Sequence, residues 1–97
     1  MPIVTIYSKS DCHLCDIAKE RVDRVRSRLS FDLDIVDITH DEDLMTRYGE
    51  RIPVIDIDGE ELFAFRVNEK VLARRLEASG AQPTDWRGQF RKGSQDG

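Results

Sequence analysis

Two cysteines are all that the 97 residues contain, and they stand three apart at positions 12 and 15. So local a pair cannot staple a small secreted fold, whose bridges hold distant segments together. Histidine is equally scarce, with only His13 and His40. A closed zinc site needs four ligands, and His13 lies between the cysteines where it cannot easily complete a tetrahedron with them, so no metal site is assigned within the chain. No apolar run approaches the length of a membrane span, and Met1 to Tyr7 has neither a basic region nor the apolar length of a signal peptide. The chain is therefore expected to be cytoplasmic, with no membrane partner, in a reducing compartment where a lone cysteine pair is redox-active or metal-binding. Basic runs are missing too. Net charge is −4, and no segment gathers lysine and arginine as a nucleic-acid surface would.

What is present is one domain's worth of soluble, globular sequence, 39% hydrophobic and 35% charged. Its acids are concentrated. Residues 32–65 carry eleven acids against Arg47 and Arg51, which reads as a solvated acidic surface on the second strand and the loop after it. No internal repeat is found.

Ile3 to Tyr7 is a β-branched run bounded by Ser8-Lys9-Ser10-Asp11, the pattern of a buried strand. From His13, apolar residues at 14, 17, 18, 22, 25 and 29 follow a 3.6 period and predict a helix of about four turns. Residues 31, 33, 35 and 38 then alternate as a second strand. A crossover helix between them makes the two strands parallel in a right-handed βαβ unit. Thr39 and Glu42 suggest a capping box for a short helix through Tyr48, closed by Gly49. Asp58-Gly59 joins Val54–Ile57 to Glu60–Phe65 as a hairpin. Asn68 is placed to cap a last helix that ends at Ser79-Gly80. The domain is thus expected to span residues 1–80. Residues 81–97 form a tail that is either frayed or docked through Trp86 and Phe90 as a helical turn. The order β-α-β-α-β-β-α is that of an α/β, thioredoxin-like fold: a four-stranded mixed sheet with helices on both faces.

Cys12 falls at the turn into the first helix and Cys15 one turn inside it. At that spacing the Cα atoms lie roughly 5–6 Å apart, within disulfide range. Cys12 sits at the positive end of the helix dipole, which favours its thiolate, whereas Cys15 shares the inward side with Ala18 and Val22. Lys9 would lower the Cys12 pKa and Asp11 would oppose it; His13 would favour the thiolate when protonated. Pro53 is the second feature. In this plan the loop before the third strand comes up against the dithiol, where a cis Ile52-Pro53 bond would present the Ile52 backbone as an edge for a substrate.

These residues resemble those of glutaredoxins. The likeness runs over residues 2–79 and rests on Ile3–Tyr7, on Ser8 to Cys15, and on Arg51-Ile52-Pro53-Val54. It implies that Cys12 is the nucleophile and Cys15 the resolving thiol. It further implies that Lys9 and the Ile52-Pro53 loop help hold glutathione, and that the proline is cis. Two departures stand out: His13-Leu14 replaces the usual Pro-Tyr, and Phe65-Arg66-Val67-Asn68 replaces a Gly-Gly turn followed by an aspartate that binds a glutathione terminus. Lys9, Arg51 and Arg66 are expected to form a basic rim that attracts an anionic partner.

The function expected is thiol–disulfide oxidoreduction on protein or glutathione mixed disulfides, with no bound cofactor. Glutathione, as co-substrate, or a flavin-linked reductase would restore the dithiol. Two alternatives stay open: a binding module, including one that shares an iron–sulfur cluster between two chains, and a thioredoxin-like reductant independent of glutathione.

Overall fold

The computed structural model describes residues 1–84. The expectation about Trp86 and Phe90 lies outside them. Chain order is β1 (Ile3–Ser8), α1 (His13–Arg26), β2 (Leu29–Ser30), β3 (Asp32–Asp37), α2 (Glu42–Tyr48), β4 (Val54–Ile57), β5 (Glu60–Ala64), α3 (Glu69–Ala78) and β6 (Gln82–Pro83). The main sheet runs β3-β1-β4-β5. Strands β1 and β3 are parallel, while β4 is antiparallel to both β1 and β5. The fold is therefore the α/β, thioredoxin-like plan that the sequence predicts.

Alternation in β1 sorts the core into two layers. Val4 and Ile6 face α1 and α3 and join Ala18, Val22, Val25, Ile55, Leu72 and Leu76 in the larger cluster. Tyr7 points to the other face, where α2 supplies Tyr48 and Leu44. Strand β4 is buried along its whole length, as a central strand covered on both faces must be. The two edges are blunted by charge: β3 carries Asp32, Asp34 and Asp37, and β5 carries Glu60 and Glu61. Such acids discourage strand addition from another chain. Five of the eleven acids in the middle of the sequence thus lie on its sheet edges.

The hairpin closes at Asp58 (φ 52°) and Gly59 (φ 88°), both left-handed as an Asp-Gly turn of this kind requires. Asp58 also accepts the Ile3 N–H at 2.9 Å, tying the turn to the start of β1. Helix α3 begins with Asn68 accepting the Val71 N–H at 3.1 Å. It ends with Gly80 at φ 102°. The Ala81 and Gly80 amides there donate back to Leu76 and Glu77, the hydrogen-bond pair that terminates helices through a left-handed glycine.

Several details depart from the sequence reading. Helix α1 stops at Arg26, and Leu29 belongs to β2, buried beneath α3 and paired with Pro83. Its inward-facing residues are Cys15, Ala18, Val22 and Val25, whereas Leu14 is 48% exposed. Strand β3 does not alternate: Ile35 is exposed, and Leu33 and Val36 are half-buried against opposite layers. The cap of α2 is Asp41, which accepts the Leu44 N–H at 3.0 Å, and not Thr39. Past residue 80, Gln82-Pro83 pairs with Leu29-Ser30 and Thr84 bonds to Arg28 and Ser27.

Leu76 is wholly buried and lies at the helix end that this short sheet covers. Leu76→Ala should destabilise the domain by about 3 kcal/mol, measured by urea unfolding.

Candidate active site

The site is built at the carboxyl end of β1. Polar Ser8 to Asp11 ends the strand, and Asp11 takes a left-handed conformation (φ 56°) that aspartate tolerates better than most side chains. This reversal delivers Cys12 as the N-cap of α1. Its sulfur accepts the Cys15 N–H at 3.1 Å. Cys12 is thus in the place where serine or aspartate commonly satisfies a free amide at a helix start. Cys12 and Cys15 are joined as a disulfide with Cα atoms 5.2 Å apart. Their settings differ sharply: Cys12 is partly accessible, while Cys15 is 0% exposed.

Cys15 packs with Ile38, Tyr48, Ile52 and Val54. The Ile52-Pro53 bond is cis, and Pro53 is buried. The Pro53 carbonyl accepts the Phe65 N–H at 2.8 Å, so the proline loop anchors the segment that follows β5. Phe65 has φ 74°, and the Arg66 N–H bonds the Ala64 carbonyl across it at 2.9 Å. Closing so tight a turn around a phenylalanine is unusual and strained. This is the position where the resemblance leads one to expect glycine, which adopts such a φ freely. Asn68, in place of the family's aspartate, spends its side-chain oxygen capping α3.

The basic rim expected of Lys9, Arg51 and Arg66 is divided by the fold. Arg51 donates to Glu61 and to the Arg47 carbonyl, and its guanidinium lies 5.6 Å from the centre of the Tyr48 ring, on the α2 side of the sheet. The nearby Glu61 carboxylate and the ring face hold it there. Arg66 lies on the other side, lining a recess with Leu14, Ile17, Arg21 and Phe65. Lys9 is half-buried in the loop before the dithiol. Arg21 was not singled out in the sequence. It donates to the Val67 carbonyl at 3.0 Å, joining α1 to the loop that leads into α3. The signal was available: Leu14, Ile17 and Arg21 fall on one helical stripe, starting beside the dithiol.

Behind the dithiol, Tyr7 and Tyr48 stack with ring centres 4.3 Å apart. Next to them Asp56 is 4% exposed, and its Oδ1 has no hydrogen-bond partner among the described residues. Burial, reinforced by the Glu61 charge, pushes the Asp56 carboxyl above the usual carboxylate range. Burial also raises the Tyr7 phenol, with Asp56 adding to the effect.

A dithiol at a helix start, above a cis-proline loop on a mixed four-stranded sheet, defines a thioredoxin-fold protein with a Cys-x-x-Cys site. The model of the glutaredoxin-like domain (DUF836) matches residues 3–77, and the chain belongs to that family. An uncharacterised protein of Mycobacterium tuberculosis is 30% identical over 88 residues, covering 86% of this chain and 87% of its own. The X-ray structure of protein XcR50 from X. campestris is 36% identical with a TM-score of 0.65, over 77% of this chain and 96% of that one. A thioredoxin from Halobacterium salinarum shares the fold at 18% identity and a TM-score of 0.59, over 79% of this chain and 73% of that one.

Because its folded-state pKa is raised, Asp56 favours the fold most when protonated, and that contribution is lost as pH rises through the raised value. Asp56→Asn should therefore raise the melting temperature at pH 7 by a few degrees. The gain should shrink as pH falls below the range where Asp56 ionises, as followed by thermal melts between pH 3 and pH 8.

Proposed function

We propose that this protein is a thiol–disulfide oxidoreductase whose nucleophile is Cys12. One observation carries the reading: an accessible sulfur at a helix N-cap, already accepting a backbone N–H, beside a fully buried partner sulfur. Once the pair is reduced, the same N–H and the helix dipole stabilise a thiolate on Cys12. That thiolate attacks one sulfur of a substrate disulfide. The first substrate thiolate leaves and takes up a proton, and a mixed disulfide on Cys12 remains. Cys15 then attacks the Cys12 sulfur and releases the second substrate thiol. The substrate gains two electrons and the Cys12–Cys15 disulfide is restored. Two glutathione molecules, or a flavin-linked reductase, return the pair to the dithiol.

The surroundings support this sequence of steps. Ile52 and Pro53 form the wall against which the substrate chain would lie. Lys9, three residues before Cys12, would favour the charged nucleophile and an anionic substrate. Arg66 would serve on the opposite side of the cleft. Arg51 is a weaker candidate, since Glu61 and Tyr48 engage it.

The test is turnover of a small neutral disulfide coupled to glutathione. Cys12→Ser should lose at least about 100-fold in kcat/KM, a barrier increase near 2.7 kcal/mol. Cys15→Ser should still react once and accumulate a mixed disulfide on Cys12, seen by intact mass. Undiminished turnover by Cys12→Ser would refute the assignment.

A further inference from the structure

Two recesses on the α1–α3 side adjoin at Arg21 and Arg66, which line both, and together make a groove along that side. Its near end is a cavity of about 270 Å³ that begins at Leu14, the residue before Cys15, and is walled also by Ile17 and Phe65. Leu14 and Phe65 are large apolar side chains left 48% and 49% exposed. The far end continues past Asn68 to Arg28 and Lys70. Glu69, the carboxylate in this lining, is paired with Arg24 at 3.0 Å. The near recess thus sets three apolar side chains beside Arg21 and Arg66, and further bases continue along the far one.

The chain's charges divide the same way. Residues 32–65 total −9, from eleven acids and two arginines. Residues 1–31 together with 66–84 carry ten bases and six acids, for +4. Four bases, Arg21, Arg28, Arg66 and Lys70, line the groove of a molecule that is acidic as a whole.

We propose that this groove docks an extended acidic segment of a client protein, and so selects which disulfides reach Cys12. The client would place an apolar side chain against Leu14 and Phe65 and carboxylates against Arg66 and Arg21. Length favours a protein segment. From Leu14 to Arg26, where α1 ends, the path is about 18 Å at 1.5 Å per residue, or roughly five to six extended residues at ~3.3 Å each. Glutathione, a tripeptide, cannot span it. Phe65 supports the same reading: a strained φ of 74° is kept so that a ring, where glycine would be relaxed, stands at the mouth of the groove. Arg21 is preorganised by its bond to the Val67 carbonyl, which uses one of five guanidinium N–H donors.

The inference rests on Cys12 being the nucleophile, and the experiment separates the two. The Cys15→Ser protein, reduced, is offered equimolar mixtures of two peptides of equal length. Each carries a cysteine activated as its mixed disulfide with an aromatic thiol, flanked by leucine and either glutamates or lysines. The Cys12 thiolate attacks the peptide sulfur and expels the aromatic thiolate, and adducts are counted by intact mass. At low salt the acidic adduct should exceed the basic one by about tenfold, the effect of roughly two favourable surface charge contacts. The excess should fall toward parity at ~0.5 M salt as screening shortens the range of these contacts, and Arg66→Glu should reverse it. Phe65→Gly, which relaxes the backbone, should reduce the rate for leucine-flanked peptides more than for glycine-flanked ones. A ratio near one, or glutathione activated in the same way outcompeting the acidic peptide, would overturn the groove's role while leaving Cys12 as nucleophile. Absence of any adduct on Cys12 would overturn the nucleophile itself and the groove's role with it.

Discussion

Everything at this site follows from a sulfur doing the work of a helix cap. The first turn of α1 leaves amides without intrahelical acceptors, and Cys12 answers the amide of Cys15. That one contact fixes which sulfur is forward and which is behind, since the helix that carries Cys15 inward leaves Cys12 at its mouth. It also links the reactive group to the fold. Strand β1 must end where it does, and Asp11 must take its left-handed turn, for the cap to form. Cys15 must then find the pocket of Ile38, Ile52 and Val54.

The proline loop connects that cap to the rest of the surface. Pro53 is buried and its carbonyl accepts the Phe65 amide, so the groove wall is tied to the loop that packs against Cys15. On the far side of the sheet Tyr48, at the end of the seven-residue α2, stacks on Tyr7, and Arg51 pairs with Glu61. Asp56 is the costly member of this layer. Arg47 and Arg51 partly offset its charge, while Glu61 stands opposite it across the β4–β5 ladder. The protein thus carries acids along both edges of its sheet and a row of bases along the groove between α1 and α3.

Much of this was legible in the chain. The strand–turn–helix around the cysteines, the Asp-Gly hairpin and the Asn68 cap are local signals, and each is decided by residues within a few positions. Competition between neighbouring candidates, local and non-local, explains the rest. Leu14 and Cys15 lie on adjacent helical stripes; the sequence places both among the inward positions, and the sheet receives only the cysteine. Thr39 and Asp41 both fit a cap by spacing; the Thr39 amide is taken by Asp37 at 2.8 Å, and Asp41 caps α2. Arg51 reads as a free cation beside the proline loop until Glu61, on the neighbouring strand, is brought to it. The positive φ of Phe65 has no signature of its own, because the residue that ordinarily announces it is glycine.

The central claim is an asymmetry between two sulfurs, and site-resolved alkylation reads it most directly. Reduced protein is treated with limiting iodoacetamide across pH 5 to 9, and the modified cysteine is located by peptide mass. The account predicts that Cys12 reacts first, with a midpoint below the ~8.5 of a free thiol, while Cys15 stays unmodified in the folded protein. Earlier modification of Cys15, or a Cys12 midpoint at or above that of a free thiol, would contradict it.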